Sequence, residues 1–406
     1  MNEDEQGFRY PTVNIEQCVD CHLCERVCPV INQSESRKPI TVYAAKNNDD
    51  VERAHSSSGG IFIAVAKKII DEGGVVFGAR FDERWEVCHS YAETIDGVKA
   101  FQGSKYVQSR IGDTYIQAET FLKAGRRVMF TGTPCQLAGL RLYLRKDYGE
   151  QLLKVDVVCH GTPSPLVWRD YLCSITRPKG ASAGKNTDSQ SKLNSDKMPV
   201  LTGISFRDKR LSWEKYGFTV QAVAHQGDLN SDSQSTKKEE QELLFEPLTD
   251  NLFMNGFLKD LYLRPSCYSC PAKSNKSESD LTLADFWGIG YTYPALHDSR
   301  GVSLVLANTL LGRNTIISLK GIEYHEVDYA AALSGNPSIE RSVKAPKQRV
   351  TFWHCYPTDG ISCIEPIIRQ MRPTLITQIK IIVIHSIKYL LGASLSRKLK
   401  SIIKCQ

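Results

Sequence analysis

Four cysteines crowd into eleven residues near the start of the chain, in the spacing Cys18-x2-Cys21-x2-Cys24-x3-Cys28-Pro29. Thiolates three residues apart can wrap one corner of a cubane, and a Cys-Pro after three more residues completes the usual bacterial [4Fe–4S] spacing. Zinc sites ordinarily split their ligands into two pairs with a long gap between them, so iron–sulfur is the reading this run favours. The run also poses a problem of count. In two-cluster ferredoxins the fourth cysteine of each motif ligates the other cluster, so Cys18, Cys21 and Cys24 need a remote fourth thiolate while Cys28 serves a cluster whose own motif is not in this sequence. Two readings stay open. Either an upstream half-motif belongs before residues 2–17, which read like the hairpin joining two such halves, or one cluster is closed by Cys28 itself, Cys355 or Cys363.

A second set is dispersed. Cys135 and Cys159 each follow a predicted strand, and Cys267-x2-Cys270 forms a pair. Four thiolates are enough for one closed [4Fe–4S] site, and zinc fits the same count; buried structural thiols are the plain alternative. The loop Ser56-Ser57-Ser58-Gly59-Gly60 precedes a predicted helix, whose N-terminal N–H groups, unobstructed at the two glycines, suit phosphate oxygens. Serine N-capping explains the same residues without a ligand. Lys105 is a candidate point cation for an anionic ligand and otherwise a solvated lysine, while Thr131, Gly132 and Thr133 either line the cavity beside Cys135 or simply make a tight turn. His160 can shuttle protons near neutral pH or be structural, and Asp280 and Asp285 flank a strand where capping explains them as well as catalysis does. Cys88, Cys173 and Cys405 have no partner pattern. The sequence has no Ser/His/Asp triad, Walker phosphate loop or H-E-x-x-H motif.

The elements that must carry these residues alternate. Residues from Ile40 (ITVYAAK) read as a strand, IFIAVAKKII after the serine loop reads as a helix with Ile61, Ala64, Val65 and Ile69 on one face, and GVVFGARF reads as the next strand. A helix over Thr114–Lys123 precedes the strand RVMF, which ends in the Thr131–Cys135 loop; LAGLRLYLR is helical, and LLKVDVV is a strand ending in Cys159-His160-Gly161-Thr162-Pro163. Strand, GTP-containing loop and helix in succession predict α/β layering with functional loops at the carboxyl ends of strands. Two polar stretches, 178–199 and 226–241, lack the apolar surface to offset chain entropy and are expected to be mobile inserts. Between them ISFRDKRLSWEKYGFTVQAVA reads as a hairpin protruding from the body, with Arg207, Asp208, Lys209 and Trp213 facing a substrate, a partner or solvent. FMNGFLKDLYL reads as an amphipathic helix delivering Cys267 and Cys270, and LTLADFWGIG as a strand entering a glycine-rich turn.

The chain has 406 residues, ordinary globular composition and 13 cysteines, an odd number, and it opens on MNEDEQGFRY rather than a secretory apolar segment. Wholesale disorder and a secreted disulfide framework are therefore excluded, and cytoplasmic, metal-bound thiols are expected. The net charge of +6 is concentrated in the tail, where residues 366–406 hold eight Lys/Arg and no Asp/Glu. The longest unbroken apolar run there, Ile381–Ile384, is far too short to span a bilayer. Residues 374–404 instead read as a basic amphipathic helix, suited to peripheral contact with the inner face of an anionic membrane or to packing on the protein or a partner. Nucleic-acid binding is not expected, because no recognition motif or interleaved stacking aromatics accompany the charge.

Taken in order, SSSGG, GSKYVQS, TGTPCQ, VCHGTPSP, FRDK, LRPSCYSC and DLTLADFWG, running from about Gly7 to Asn308 with the N-terminal motif, resemble the family of coenzyme F420 hydrogenase/dehydrogenase beta subunits, in its bacterial branch with an N-terminal ferredoxin-type domain. The resemblance implies an α/β flavoprotein-like core, divided into regions 40–125 and 126–345, preceded by a partial ferredoxin module at 1–38 and followed by the tail 346–406. It implies FAD held around Ser57, Ser58, Gly59, Gly60, Ser104, Lys105, Thr131, Gly132 and Thr133, beside a [4Fe–4S] cluster on Cys135, Cys159, Cys267 and Cys270. One or two such clusters are expected, the other on Cys18, Cys21, Cys24 and Cys28. Ala284 departs from the family's usual glycine before DFWG, which puts a tight cofactor fit there in doubt. The implied function is an iron–sulfur flavoprotein oxidoreductase, working with a redox partner protein or small-molecule donor and an F420-like or sugar-related substrate. A non-catalytic electron-transfer or scaffold component of a surface-polysaccharide system is the competing class, and a zinc-stabilised binding protein a third.

Overall fold

The computed structural model describes residues 1–177, 199–223 and 240–371. The expected tail helix at 374–404, Cys405 and nearly all of the two polar inserts lie outside the described residues. Thirteen strands are described: β1 (Asn2–Glu3), β2 (Arg9–Tyr10), β3 (Thr41–Asn47), β4 (Val75–Phe81), β5 (Val87–Ala92), β6 (Val128–Gly132), β7 (Leu152–Val157), β8 (Val200–Asp208), β9 (Gly217–Val223), β10 (Glu240–Pro247), β11 (Leu281–Asp285), β12 (Ser303–Ala307) and β13 (Ile322–Glu326).

Eight of them form one mixed sheet in the order β13-β3-β12-β11-β7-β6-β4-β5. Its centre, β11-β7-β6-β4, is parallel, and the outer strands pair antiparallel. Central strands such as β6 and β12 are buried along nearly their whole length, which is why they read as continuous apolar runs rather than alternating ones. Successive side chains still point to opposite faces. Val76, Met129 and Leu153 pack with Ile61, Ile63, Val65 and Ile69 on one side, and Val75, Phe77, Val128 and Phe130 with Leu137 and Leu140 on the other. The helix Ile61–Asp71 thus buries Ile63 and Ala66 along with Ile61, Val65 and Ile69, while Ala64 is only half-buried. The face assigned to this helix from sequence needs that correction.

Local chemistry fixes the helices that follow the parallel strands. Thr133 and Gln136 make a reciprocal capping box at the start of helix Pro134–Leu144, satisfying two N–H groups that a helix start otherwise leaves free. Ser164 Oγ accepts the Val167 N–H at the start of helix Pro165–Thr176, and proline opens both helices, where its missing N–H costs nothing.

The expected protruding hairpin is instead built in. β8 and β9 pair with each other and β9 with β10, making a three-stranded antiparallel sheet. Its buried face supplies Phe206, Phe218 and Val220 to an aromatic core with Trp168, Tyr171, Phe253 and Tyr262. Arg207 and Trp213, read as candidates for a solvated face, are 5% and 0% exposed. The stretch 226–241, read as all insert, yields its last two residues to β10. The segment FMNGFLKDLYL is helical over Leu252–Leu258, with Phe253, Met254 and Phe257 fully buried and Leu258 and Lys259 exposed, as an amphipathic helix requires, and Leu261, Tyr262 and Leu263 after it are fully buried too. Cys363 is buried in this same core, with Cys355 beside it.

Candidate functional site

The parallel register brings the dispersed motifs to one edge. Gly132 on β6 pairs with Asp156 on β7, and Leu283 on β11 pairs with Val157. Cys135 lies three residues past Gly132, in the first turn of helix Pro134–Leu144, and Cys159 three past Asp156, on the loop that leaves the neighbouring parallel strand; Asp285 lies at the same end of β11. This is the carboxyl edge of the parallel strands, where open α/β sheets hold their ligands. Cys267 lies in the 3-10 turn Pro265–Ser269 and Cys270 just after it. A bridge between Pro163 and Leu263, with Ser164 N–H donating to Tyr262 O and Arg264 N–H to Thr162 O, ties that turn to the Cys159 loop. Thr162 N–H donates to Cys267 Sγ at 3.4 Å.

The four thiols feel one another. Burial first, then the neighbouring Cys267 and Cys135, with Cys270 also contributing, raises the Cys159 thiol well above its usual value. Burial and the Thr162, Cys135 and Cys270 contacts leave Cys267 pushed up to about 11, and Cys135 is raised by burial and by Cys270, against a 3.2 Å contact with Thr133 Oγ1. Cys135 is accessible and yet surrounded by protein, as a side chain on the wall of a concavity is. Two cations adjoin the set: Arg264 acts on Cys135, and Lys273 acts on Cys159 and donates from Nζ to its carbonyl at 2.5 Å. A small cavity of about 20 Å³ lies behind, lined by Pro134, Asp156, Cys159, Lys273 and Asn275 among others. Among the described residues no three His, Cys, Asp or Glu side chains are gathered tightly enough for a single metal ion; thiolates on a cubane stand further apart, since several iron atoms lie between them.

At the same edge of the sheet, against Ser303 opposite Asp285, lies the serine loop. Gly59 packs so closely that a Cβ there would stand 2.5 Å from Ala45 O and 2.6 Å from Ser303 N. Gly60, at φ 81°, opens helix Ile61–Asp71 without any side-chain cap. The serine hydroxyls are already engaged: Ser56 Oγ donates to Glu52 O, Ser57 Oγ accepts the Ser104 N–H at 2.6 Å, and Ser58 Oγ donates to Val302 O. The uncapped backbone N–H groups of the first helical turn, with the Ser57 O–H, are left to meet an anion. Ser104 thus ties the loop to Lys105, whose Nζ donates to Gln102 O at 2.9 Å and Gly103 O at 3.3 Å and lies 6.0 Å from the Phe81 ring centroid. Burial alone pulls the Lys105 amine down to about 7.

Arg207 locks the same loop from the other side. It forks onto Asp285 at 2.7 and 3.1 Å, reaches Ser57 O at 3.2 Å and Tyr106 Oη at 3.2 Å, and lies 3.9 Å from the Tyr216 ring centroid. Trp213 Nε1 donates to Asp285 Oδ1 at 2.8 Å and its ring stacks on Trp287. Lys209 Nζ donates to Arg53 O, Ser58 O and Arg300 O, and burial with Arg53 and Arg207 nearby lowers it to about 8. Asp285 is therefore an ion-pair anchor. Asp280, with Oδ2 accepting from Lys154 N–H and Oδ1 from Thr309 Oγ1, is a strand-end clamp. Ala284 packs against the core of Phe286, Ile289 and Leu304. His160 Nε2 meets Asp260 Oδ1 at 2.7 Å.

His89 carries no motif that singles it out in the sequence. Its ring nitrogens meet Ser109 Oγ at 2.6 Å and Thr131 O at 3.0 Å, its ring stacks on Phe130, and burial holds it near pKa 4, hence neutral. With Thr131 Oγ1 donating to Phe77 O, it fixes the loop that leads to Cys135. An isolated histidine in VCHSYA gives no local sign of that role.

Of the N-terminal thiols, Cys18, Cys21 and Cys24 are exposed and Cys28 half-buried. The expected hairpin exists as β1–β2 and is docked on the body. Phe8 is fully buried, Ser164 Oγ donates to Gln6 O at 2.5 Å, and Arg264, the cation beside Cys135, donates to Arg9 O at 3.1 Å.

Comparison with known proteins bears on this arrangement. Residues 125–330, half of the chain, match the family model that describes the C terminus of the beta subunit of coenzyme F420 hydrogenase/dehydrogenase. Over 145 residues the chain is 27% identical to the F subunit of the F420H2 dehydrogenase from Methanosarcina mazei, a stretch covering 34% of this chain and 39% of that protein, so the match spans about two fifths of the curated relative. Among solved structures, a chain of the F420-reducing [NiFe] hydrogenase complex from Methanosarcina barkeri, studied as a xenon derivative, is similar at 16% identity and TM-score 0.44, covering 77% of this chain and 97% of that one.

Proposed function

Because the chain belongs to the family of coenzyme F420 hydrogenase/dehydrogenase beta subunits, we propose that it is an electron-transferring oxidoreductase component in which a [4Fe–4S] cluster on Cys135, Cys159, Cys267 and Cys270 stands beside FAD, with a redox partner on one side and an organic substrate on the other. The observation that carries this reading is the convergence of four thiols from three separate segments, a helix start, a loop and a 3-10 turn, at the carboxyl edge of β6 and β7. The donor set fits the group. All four ligands are thiols, the ligand type that iron–sulfur clusters take, and Arg264 and Lys273 offset the anionic charge that four thiolates bring. Burial that raises free thiols is a cost that metal coordination removes, since a coordinating thiol is deprotonated outright.

When bound, a flavin accepts two electrons and releases them singly, which lets it join two-electron substrates to one-electron clusters. The chain's own residues do the rest. Gly59 and Gly60 open the backbone N–H groups of helix Ile61–Asp71 to a pyrophosphate, Lys105 supplies a cation whose charge state follows pH, and Arg207 with Asp285 holds the Ser57 carbonyl in place. His89 keeps Thr131 fixed above Cys135. Arg264 touches both the N-terminal hairpin and the neighbourhood of Cys135, which supports a short path between an N-terminal cluster and this one.

Anaerobic purification tests the reading. Protein with a broad brown absorbance near about 400 nm and a yellow chromophore released on denaturation supports it. Colourless protein carrying stoichiometric zinc overturns it.

A further inference from the structure

Two thiols outside both cysteine sets meet in the aromatic core. Helix Gln348–Asp359 carries Cys355 in its last two turns, and the chain then reverses at Gly360, whose φ of 57° suits a residue without Cβ, into the 3-10 turn Gly360–Cys363. That reversal returns Cys363 to Cys355, and the two side chains are in hydrogen-bonding contact. Each thiol also reaches the carbonyl three residues back, Cys355 Sγ donating to Phe352 O at 3.4 Å and Cys363 Sγ to Gly360 O at 3.0 Å. Both thiols are free. Cys355 is half-buried, whereas Cys363 is 4% exposed and sits in the core with Phe352, Tyr356, Ile364 and Ile367. Among the described residues no third His, Cys, Asp or Glu joins the pair closely enough to hold a metal ion. The backbone here has room to adjust, because Pro357 lies inside the helix and has no N–H to give to the carbonyl four residues back.

The same helix braces the surroundings of the four-thiol site. From its first turn Arg349 donates to Tyr268 Oη at 3.2 Å, to Leu263 O at 3.4 Å and to Gln6 Oε1 at 2.5 Å, so it holds both the turn that carries Cys267 and the N-terminal hairpin. We infer that Cys355 and Cys363 are a redox-active dithiol, oxidised to an intramolecular disulfide by a low-molecular-weight disulfide and restored by the matching thiol. Cys355 is the more accessible member, so its thiolate attacks first: it bonds one sulfur of the oxidant, the oxidant's S–S bond breaks, and one thiol leaves. Cys363 then attacks the Cys355 sulfur, its proton goes to the second departing thiol, and the protein keeps one S–S bond. Two protein thiols are oxidised and one disulfide is reduced to two thiols, so electrons and protons balance. Burial first, then Cys355 and Asp359, raises the Cys363 thiol to about 12, which suits a protonated resolving thiol rather than a first attacker. The bond, once made, fastens the turn Gly360–Cys363 to the helix that holds the Cys267 turn. This inference stands on the thiol pair alone and rests on neither the cluster nor the flavin.

Tryptic mapping of the full-length protein tests it. Residues 350–369 leave as one peptide that holds both cysteines, since Arg349 precedes it, Arg369 ends it and no Lys or Arg lies between. Reduced protein is incubated anaerobically in glutathione of rising disulfide content, quenched with acid, alkylated in denaturant and digested. The wild-type peptide is expected to pass from two alkyl groups to none, at a mass two hydrogens below that of the dithiol, without a build-up of peptide carrying glutathione. Cys363→Ser should accumulate glutathione on Cys355, and Cys355→Ser should take up none over the same period. A wild-type peptide that keeps both alkyl groups throughout overturns the inference, as does one that stops with glutathione on Cys355. Both of these readings are made on wild-type protein and hold whether or not the variants fold. Iron counted on the same samples bears on the proposed function alone, so failure of that reading and failure of this inference are told apart.

Discussion

In the proposed flavin site, the affinity for FAD follows pH through the position of Lys105. Its amine is drawn from 10.5 down to about 7 by burial, with two backbone carbonyls and the face of Phe81 as neighbours. At 1.36 kcal/mol per pKa unit, that displacement sets roughly 5 kcal/mol against the charged form in the ligand-free site. A phosphate beside the amine reverses part of this, raising the amine's pKa when bound. The sign follows from linkage. Below about pH 7 the amine is already charged and affinity is full; above it, binding must take up a proton, so affinity falls as pH rises until the bound-state pKa is reached. Each unit above about 7 costs up to tenfold, giving a decline of up to about a hundredfold in FAD affinity between about pH 7 and 9. Titrating flavin-depleted protein with FAD by fluorescence, at constant ionic strength from about pH 6 to 9, measures it. Lys105→Met should bind weakly and with no slope across this range, and Lys105→Arg, which stays charged, should also lose the slope while keeping more affinity. A wild-type dissociation constant that is level across this range, or a slope that survives in Lys105→Met, would refute the placement of Lys105 against the anionic part of the ligand.

Other consequences can be checked on the protein alone. Removing one member of the buried Arg207–Asp285 pair strands the other, so Arg207→Met and Asp285→Asn should each cost about 3–5 kcal/mol in chemical unfolding. The double variant should cost clearly less than the sum; additive effects would mean that the two do not act as a pair. Gly59→Ala forces a methyl against Ala45 O and Ser303 N, backbone atoms with no freedom to yield, and should cost about 1–3 kcal/mol along with most FAD retention, whereas Gly73→Ala, at φ 74° with open space around it, should cost about 1–2 kcal/mol of backbone strain and leave FAD retention unchanged. His89 is neutral when folded, near 4 rather than 6.5, so the unfolded chain takes up a proton first as pH drops. Stability should fall by roughly 2–3 kcal/mol between about pH 6.5 and 4.5 on this account, and His89→Gln should flatten that part of the curve; an unchanged curve would contradict the burial of His89.

What the sequence made legible was the part encoded locally. The strand, GTP loop and helix succession survives as β6, helix Pro134–Leu144 and β7, because apolar runs and a Thr-Pro helix start are written in adjacent residues. Helix Thr114–Lys123 has the bounds expected of it. What escaped was encoded by distance. Arg207 and Asp285 lie 78 residues apart in the chain, and nothing near FRDK announces a buried ion pair, so a charged hairpin reads as a surface. The candidate site divides in the same way. The cysteines were legible by spacing and motif, whereas His89 and the long-range contacts of Ser57 with Ser104 and Ser58 with Val302 depend on segments that meet only in the fold.

The four-thiol site beside β6 and β7 is the centre of the account, and iron counting on a protein stripped of its N-terminal thiols tests it most directly. Full-length chain carrying Cys18→Ser, Cys21→Ser, Cys24→Ser and Cys28→Ser, reconstituted anaerobically, is expected to retain about four irons and four labile sulfides. Adding Cys159→Ser or Cys267→Ser should lower both together, and adding Cys88→Ser should change neither. Iron that persists through loss of Cys159 and Cys267, or zinc in its place, would contradict the assignment of these thiols to a cluster.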